Sequence, residues 1–272
     1  MTAPARAASS WLALREEADS RSRSTDLVRG VVTRLPATGV VLVHDLGCGT
    51  GSMGRWLAPR LPRPQHWVLH DRDADLLREA AGRPGTVADG SPATAAVSCG
   101  DLADLTAADL AGAGLVTASA LLDVLTADDL ERLMDLCTAA GCPALITLSV
   151  TGHVELEPAD PLDCAIRDAF NAHQRRVTNR GRLLGPDAVD AAAEGFRRRG
   201  ADVIARPSPW RLGTRDAALT QQWLDGWVRD ACEQDPGLIQ RAAPYLLRRT
   251  ASARDGRLTV TVHHSDLLAV PR

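Results

Sequence analysis

Residues 40–56, VVLVHDLGCGTGSMGRW, combine an apolar run, a carboxylate and four glycines. The apolar run ends at Asp45, and the glycines follow at positions 47, 49, 51 and 54. This order is typical of a buried strand that turns sharply into the first turn of a helix. Because glycine has no side chain to block unusual backbone angles, such a turn lets the main chain approach a ligand closely. The stretch therefore predicts a nucleotide-like ligand.

Two ligand classes are compatible with this turn. Gly49–Gly54 spells GxGxxG, the dinucleotide fingerprint, and Asp71 follows about 20 residues later, as that fingerprint requires. Asp45–Gly51 also spells DxGxGxG, which resembles motif I of the class I S-adenosylmethionine-dependent methyltransferases. Asp45 favours the second class, because a carboxylate attracts the positively charged amino group of that ligand, whereas a dinucleotide pyrophosphate is anionic. A tight turn between strand and helix that binds no ligand is the third interpretation.

Two further carboxylates stand at predicted strand ends. Asp71 ends the strand predicted for His66–His70, where a carboxylate can accept hydrogen bonds from both ribose hydroxyls. Asp101 follows the strand predicted for Ala95–Cys99, where it can accept a hydrogen bond from the adenine amino group. These acids and Asp45, in this order, carry the methyltransferase resemblance over about residues 10–150. The resemblance implies S-adenosylmethionine as cofactor, bound by Asp45, Gly47, Cys48, Gly49, Gly51, Asp71, Arg72, Asp101, Leu102 and Ser119.

The segment after the fourth predicted strand, residues 118–123, is where the family that the chain resembles places contacts to the methyl acceptor. Here it lacks the D/N-P-P-Y/F motif of enzymes that methylate amino groups of nucleic acids. No cysteine stands there for pyrimidine carbon methylation, since Cys137 and Cys142 come later. Both absences favour a small-molecule acceptor. Asp123 is the candidate general base, and a role at the start of the next helix is the alternative.

A further set of polar residues could contact the acceptor. His173 is the second catalytic candidate, and Asn171 and Gln174 stand beside it in FNAHQRR, within an insertion that commonly roofs the acceptor pocket in the resembled family. An ordinary polar face of a surface helix is the competing interpretation. Trp210 could supply a flat wall, or could be a buried anchor. The substrate-binding candidates are Arg15, Asn171, Gln174 and Trp210. Arg15, Glu16, Arg21 and Arg23 could reach the site from the N-terminal helices or could form a solvated face.

Two other groups of side chains bear on rival functions. His263, His264 and Asp266 lack a further ligand nearby in the sequence, so we predict no metal site. An arginine-rich stretch could bind phosphates of RNA, although neighbouring carboxylates offset part of its charge. Its members are Arg175, Arg176, Arg180, Arg182 and Arg197–Arg199, with Asp187, Asp190 and Glu194 as the neighbouring acids.

Apolar periodicity and glycine or proline breaks predict the elements that position these residues. We expect an α/β fold with two N-terminal helical pieces that are broken near Ser20–Ser24, and seven strands. The resemblance implies a mostly parallel, doubly wound Rossmann-like sheet in which the last strand is antiparallel. The fifth and last strands are predicted for Pro143–Val150 and Arg257–His263. Residues 1–36 would form an N-terminal helical cover and 37–272 the methyltransferase domain, with 151–200 as an insertion that caps the substrate.

Bulk properties agree with a soluble enzyme. The 272 residues are 45% hydrophobic, and the net charge of -3 exerts no overall attraction on nucleic acid or an anionic membrane. Six scattered cysteines without a CxxC motif indicate a reducing cytoplasm. No apolar run is long enough to span a bilayer. The expected partner is a small-molecule substrate. We expect no membrane partner and do not favour nucleic acid, and a homodimer is an open option.

The combined interpretation is an S-adenosylmethionine-dependent methyltransferase for a small molecule, with specialised metabolism as a narrower hypothesis. An RNA methyltransferase is the nearest alternative. An NAD(P)-dependent oxidoreductase would use the GxGxxG of Gly49–Gly54, and a cofactor-binding protein without catalysis is the fourth option. The acceptor, its reacting atom and the need for a general base stay open.

Overall fold

The computed structural model describes residues 7–62, 64–91 and 93–272. The first six residues of the segment 1–36 therefore lie outside the described part. The chain begins with α1 (Ser9–Ser22) and α2 (Thr25–Val32), so the predicted break between two helical pieces is confirmed. Helix α2 buries Leu27, Val28 and Val31 against the sheet. Helix α1 packs against the C-terminal part of the chain, and its Leu12 lies beside Gly49 of the glycine turn.

A twisted sheet forms the centre of the molecule. Its strands are β1 (Val41–Leu46), β2 (Gln65–Asp71), β3 (Thr94–Cys99), β4 (Leu115–Ser119), β5 (Ala144–Glu157), β8 (Asp202–Pro207), β9 (Trp210–Leu212) and β10 (Thr259–Val270), while β6 (Val177–Thr178) and β7 (Gly181–Arg182) form a separate hairpin. The strand order is β3-β2-β1-β4-β5-β10-β8, with β9 paired to β10. Strands β1 to β5 are parallel, and β10 is antiparallel to both β5 and β8. The seven strands of this order confirm the predicted mostly parallel sheet with an antiparallel last strand, and β9 is an additional, eighth strand.

Helices cover this sheet on both faces. They are α3 (Ser52–Leu57), α4 (Ala74–Gly82), α5 (Ala127–Ala140), α6 (Asp163–Gln174), α7 (Ala188–Arg198), α8 (Ala217–Gln234) and α9 (Ile239–Arg254). Because successive strand residues point to opposite faces, Leu115 packs with α2, α3 and α4, whereas Val116 packs with α5 and α7. A third hydrophobic cluster joins α1, α6, α8, α9 and the outer parts of β5 and β10. The described residues contain no helix that is both long and apolar enough to cross a membrane.

The structure corrects several element boundaries. Strand β5 continues seven residues past the predicted end at Val150, and β10 continues seven residues past His263. Each extension pairs with the predicted part of the other strand, because Glu157 pairs with Thr259 at the outer end and Ala144 with Ala269 at the inner end. The segment after α6 contains the β6–β7 hairpin, and Trp210 lies in β9, opposite Val262. The β6–β7 hairpin is local, whereas β9 and the added residues of β5 and β10 depend on partners far away in the sequence, which local periodicity does not reveal.

Candidate active site

The glycine turn joins β1 to α3 at the C-terminal edge of the parallel strands. Gly47, Gly49 and Gly51 have φ angles of 65°, 54° and 81°, in the left-handed region that other residues rarely adopt. A Cβ atom at Gly47 would lie 2.9 Å from Leu121 Cδ1, and one at Gly49 would lie 3.1 Å from Leu12 Cδ1 on α1. Both backbone angle and close packing therefore require glycine here, and α1 lies directly over the turn.

Asp45 lies next to the end of β1 and is completely buried. Its Oδ1 accepts a hydrogen bond of 2.7 Å from Thr117 Oγ1, while its Oδ2 is buried and accepts no hydrogen bond from any described residue. Burial raises the pKa of Asp45 to about 7, although Thr117 and the positive charge of Arg23 act in the opposite direction. One oxygen of a buried carboxylate is thus available to a cation.

Arg23 lies between α1 and α2, and only 3% of it is exposed. Its Nη2 donates to Ser52 Oγ at 3.1 Å and to Ser119 Oγ at 3.0 Å. Its Nε and Nη1 are buried and donate to no group in the described ranges. Burial lowers the pKa of Arg23, whereas Asp19, Asp266 and Asp45 raise it. The site therefore offers unused N–H donors of a guanidinium near an unused carboxylate oxygen.

From the sequence, Arg23 was one of four charged residues expected either to reach the site or to form a solvated face. The structure instead buries it, because Asp266 holds the junction between α1 and α2. The carboxylate of Asp266 is completely buried and accepts from Ser24 N at 2.7 Å, Leu148 N at 2.8 Å and Ser208 Oγ at 2.5 Å. The only sequence signal for this role is an acidic residue within an otherwise apolar strand end, SDLLAV. Asp266 entered the sequence analysis solely as a metal-ligand candidate.

Asp71 is held against the glycine turn by backbone amides. Its Oδ2 accepts from Gly49 N at 2.8 Å, and its Oδ1 accepts from Asp73 N at 2.9 Å. The Cys48 N–H donates to the His70 carbonyl at 3.0 Å, which joins the turn to β2. Cys99 Sγ donates to the Arg72 carbonyl at 3.9 Å. Arg72 therefore lies where β2 and β3 end together. These predicted cofactor residues therefore meet at one edge of the sheet.

Asp101 lies at the end of β3 beside a cavity of about 190 Å³. The cavity is lined by His70, Ser98, Cys99, Gly100, Asp101, Leu102, Asp104, Leu105 and Asp109. Asp101 Oδ1 accepts from Ala103 N at 2.9 Å, and Oδ2 accepts from Arg180 Nη1 at 2.7 Å. These two bonds lower the pKa of Asp101 despite the opposing effect of partial burial. The cavity thus has an ionised carboxylate at its rim, and Arg180 of the β6–β7 hairpin lies against it.

Asp123 is half-buried in a short 3₁₀ turn, Leu122–Val124, after β4. Burial raises its pKa to about 6, and the charges of Arg15 and Arg176 oppose this rise. The alternative role at a helix start is filled by Thr126 and Asp129, which form the capping box of α5. Asp123 is therefore free of a capping role and lies near two cations.

The backbone that leads to Asp123 has an unusual conformation. Ala120 has a φ of 51°, which is rare for a residue other than glycine, and its N–H donates to the Thr147 carbonyl at 2.9 Å. Ser119, one residue earlier, accepts hydrogen bonds from Arg23 and from Thr147 Oγ1. Backbone strain of this kind persists where surrounding contacts require it, often at functional sites. Ser119 and Asp123 thus frame one strained segment at the sheet edge.

The polar residues of α6 occupy three different environments. Asn171 Nδ2 donates to the Gly152 carbonyl at 2.7 Å and fastens α6 to β5. His173 Nε2 lies 3.4 Å from Glu233 Oε2 on α8. Gln174 Oε1 is buried and has no hydrogen-bond partner among the described residues. Their assigned roles in substrate binding or catalysis stay predictions.

Arg15 and Trp210 lie together on the other side of the site. Arg15 donates to both oxygens of Asp19, at 2.9 and 3.2 Å, and its guanidinium carbon lies 4.8 Å from the centroid of the Trp210 ring. Trp210 Nε1 donates to Asp19 Oδ1 at 2.9 Å, and the ring is 2% exposed. The structure therefore shows Trp210 as a buried anchor that stacks with Arg15, and acceptor contacts by either residue stay predictions.

Comparisons with solved structures concern the fold. The YcgJ protein from Bacillus subtilis has a TM-score of 0.50 at 10% identity, over 92% of this chain and 99% of that chain. Phosphoethanolamine N-methyltransferase 2 of Haemonchus contortus has a TM-score of 0.49 at 14% identity, over 97% of this chain and 58% of that chain. A mycolic acid cyclopropane synthase has a TM-score of 0.47 at 11% identity, over 89% of this chain and 83% of that chain. No family model and no curated protein sequence matches the chain.

Proposed function

We propose that this chain, which has the fold of the class I S-adenosylmethionine-dependent methyltransferases, binds S-adenosylmethionine and methylates a small molecule. One observation carries the proposal: Asp45 Oδ2 and the Nε and Nη1 of Arg23 are buried near the glycine turn and have no hydrogen-bond partner among the described residues. The amino-acid end of S-adenosylmethionine has an ammonium and a carboxylate, which are the complementary charges. A dinucleotide would instead place an anionic pyrophosphate at the turn, next to Asp45.

The adenosine end of the cofactor would occupy the adjoining strand ends. Asp71 retains acceptor capacity for ribose hydroxyls, because each carboxylate oxygen has two acceptor positions and each uses one here. The cavity of about 190 Å³ beside Asp101 is a space for the adenine ring. Cys48, Arg72, Leu102 and Ser119 complete the proposed cofactor site.

The proposed chemistry is a direct displacement at the methyl carbon. When bound, S-adenosylmethionine supplies an electrophilic methyl group, whose carbon–sulfur bond breaks as the acceptor lone pair forms the new bond. Asp123 takes the proton that the acceptor releases, and its pKa of about 6 leaves it ionised at neutral pH. The main contribution of the protein is to hold acceptor and methyl group in line and without water.

We place the acceptor between Asp123 and the C-terminal end of α6. The charge of Arg176, which follows α6, lowers the pKa of Asp123, which supports this placement. His173, Asn171 and Gln174 on α6 and Arg15 and Trp210 are the proposed acceptor contacts, and residues 151–200 are the proposed cap.

The pairing of the arginine-rich stretch supports a small molecule over RNA. Arg175 donates to Asp187, Arg180 to Asp101 and Asp129, and Arg199 to Glu131 and Asp135. Charges that are already paired release fewer counterions on binding a polyanion, which weakens RNA binding. We also propose a reducing cytoplasmic setting, since all six cysteines are unpaired. The homodimer stays a prediction.

Calorimetry with S-adenosylhomocysteine and with NAD tests the cofactor. We expect S-adenosylhomocysteine to bind and Arg23→Gln to weaken it by roughly 5- to 150-fold, because a charged hydrogen bond contributes about 1–3 kcal/mol. Arg29→Gln is the matched control, since Arg29 lies on the exposed side of α2 and pairs with Asp26. A preference for NAD, or equal effects of the two substitutions, would contradict the proposal.

Incubation with methyl-labelled S-adenosylmethionine tests the acceptor class. We expect label to pass to a member of a small-molecule panel and not to total RNA. RNA labelling together with steeply salt-dependent RNA binding would instead support an RNA methyltransferase.

A further inference from the structure

A group of two histidines and a glutamate lies outside the proposed active site, on the extension of β5 and the adjacent part of β10. His153 Nε2 lies 2.9 Å from Glu155 Oε1, and His263 Nε2 lies 3.5 Å from the same oxygen. The ligand atoms of all three side chains lie within 4.8 Å of one another. The side chains of His153, Glu155 and His263 are 52%, 55% and 33% exposed.

Sheet pairing brings these residues together. His153 and Glu155 are two positions apart on β5 and therefore point to the same face. Glu155 pairs with Thr261 on β10, and the register then shifts between Val262 and His264. The shift places His263 beside His153, with their ring centroids 4.6 Å apart. The sequence analysis found no third ligand near His263 because the other two come from a strand about a hundred residues earlier.

The His153–Glu155 contact has the length of a hydrogen bond, and the group as a whole also matches metal coordination. The Nε2 atom of His263 is buried and makes no hydrogen bond to any described residue, although Glu155 Oε1 is nearby. In a tetrahedral site with metal–ligand bonds of about 2.1 Å, neighbouring ligand atoms are about 3.4 Å apart. The observed distances of 2.9 and 3.5 Å lie on either side of this value.

We propose that His153, Glu155 and His263 bind one divalent transition-metal ion of the zinc class. Two imidazoles and one carboxylate are a recurring ligand set for such ions, and water completes the coordination because the side chains are exposed. Hard cations such as Mg²⁺ prefer oxygen ligands and should bind weakly here.

The bound ion would clamp β5 to β10 where the register shift interrupts their pairing. Gly152, next to His153, accepts the hydrogen bond from Asn171 that fastens α6. We therefore assign the ion a stabilising role in the β5–β10 extension and in the support of α6. This role does not depend on the proposed methyl transfer.

Titration of the chelator-treated full chain with Zn²⁺ tests the site. We expect calorimetry to show one ion per chain, and a hundredfold excess over Kd to raise Tm by roughly 5 °C. Both effects should disappear in the double variant His153→Ala, His263→Ala. The matched control is His66→Ala, which removes a histidine on β2 that bonds to Thr94 and should leave Zn²⁺ binding unchanged.

Two additional measurements distinguish loss of the metal site from misfolding and from zinc binding by thiols. If the double variant does not fold, Glu155→Gln keeps the size of an exposed side chain, and we expect it to weaken Zn²⁺ binding at least tenfold. Exposed thiols such as Cys99 and Cys164 are the main competing ligands. Because the proposed ligands contain no sulfur, titration with Co²⁺ should produce no sulfur-to-metal charge-transfer band. Absence of Zn²⁺ binding, unchanged binding in the variants, a thiolate band, or equal competition by Mg²⁺ would each overturn the proposal.

Discussion

Asp45 and Arg23 are opposite charges that the fold has removed from water without satisfying either one completely. Removal of a charged group from water is costly unless it is paired and hydrogen-bonded. The shifted pKa values of both residues express this cost, because burial favours their neutral forms. A zwitterionic ligand would satisfy both groups at once, which is the physical basis of the affinity that we propose.

At the residue scale, the titration of Asp45 should control cofactor affinity. Below its pKa of about 7 the carboxyl is protonated and cannot pair with an ammonium, so binding must release a proton. We expect the affinity for S-adenosylhomocysteine to rise between about pH 5 and 7 and then level off. Asp45→Asn should bind more weakly and lose this pH dependence, as measured by calorimetry. Asp26→Asn on exposed α2 is the control, and an unchanged pH profile in Asp45→Asn would argue against the assigned contact.

Asp123 should affect the rate of methyl transfer rather than cofactor affinity. Replacement of a general base typically lowers kcat by about 10²- to 10⁴-fold, and we expect this for Asp123→Asn. In the unchanged protein, kcat/KM should rise with pH through about 6, where Asp123 becomes ionised. The kcat of Asp123→Asn and the pH dependence of kcat/KM are measured with the first acceptor that the labelling experiment identifies. Asp128→Asn, at an exposed position in the first turn of α5, is the control. A variant that keeps full activity would show that the acceptor loses its proton without Asp123.

At the element scale, Asp266 joins three segments that are distant in the sequence. Asp266 accepts hydrogen bonds from the junction of α1 and α2, from β5 and from the segment between β8 and β9. The donor on β5 is the N–H of Leu148, a residue with a φ of 57°. These hydrogen bonds fix Ser24, which follows Arg23, and Ser208, which lies two residues before Trp210. The N-terminal helices are thus positioned by a polar contact in addition to apolar packing.

Asp266→Ala should therefore destabilise the protein. It would leave two backbone N–H groups and the Ser208 hydroxyl without their acceptor, at about 1–3 kcal/mol for each buried group that finds no other partner. We expect a loss of at least about 2 kcal/mol in the free energy of unfolding, measured with denaturant, and a weaker affinity for S-adenosylhomocysteine. Asp26→Ala, which removes an exposed ion pair, should change the free energy of unfolding by less than about 1 kcal/mol. Equal effects of the two substitutions would contradict the positioning role.

At the scale of the whole molecule, the centre of the sheet contains a pair of buried histidines. His44 on β1 and His70 on β2 stack at 5.2 Å between centroids, with Nδ1 of His44 2.9 Å from Nε2 of His70. One ring must donate and the other accept, so protonation of the accepting ring breaks the contact. Burial, together with the neighbouring His44, lowers the pKa of His70 to about 4.

This pair should make stability depend on acid pH. The pKa of His70 is about 6.5 in the unfolded chain and about 4 in the folded chain. The contribution of neutral His70 to the free energy of unfolding is therefore complete above about pH 6.5 and is lost as the pH falls toward 4. The loss attributable to His70 is about 3 kcal/mol, so the stability difference from His70→Phe should shrink by that amount over this range. Denaturant unfolding at several pH values measures it, and His66→Phe is the control. A difference that stays constant with pH would refute the buried neutral state.

The local parts of the site could be predicted from the sequence. Asp45, the turn glycines and Asp71 lie within 27 positions of one another, and strand ends in a parallel sheet meet at one edge. The strand order followed from a family resemblance that these residues carry. Arg23 was harder to interpret, because an arginine between two helices has the same local pattern whether it is buried or solvated.

The sequence by itself determined the features that depend on neighbouring residues: the glycine turn, the acids after each strand and the break between α1 and α2. Only the tertiary structure decided the partners of Arg23, the burial of Trp210 and the meeting of His263 with His153 and Glu155. The hydrogen bond from Ser24 to Asp266 spans 242 positions, and no local periodicity encodes such a distance. The physical reason is that backbone angles depend on neighbouring residues, whereas burial and ion pairing depend on which strands and helices the folded chain brings together.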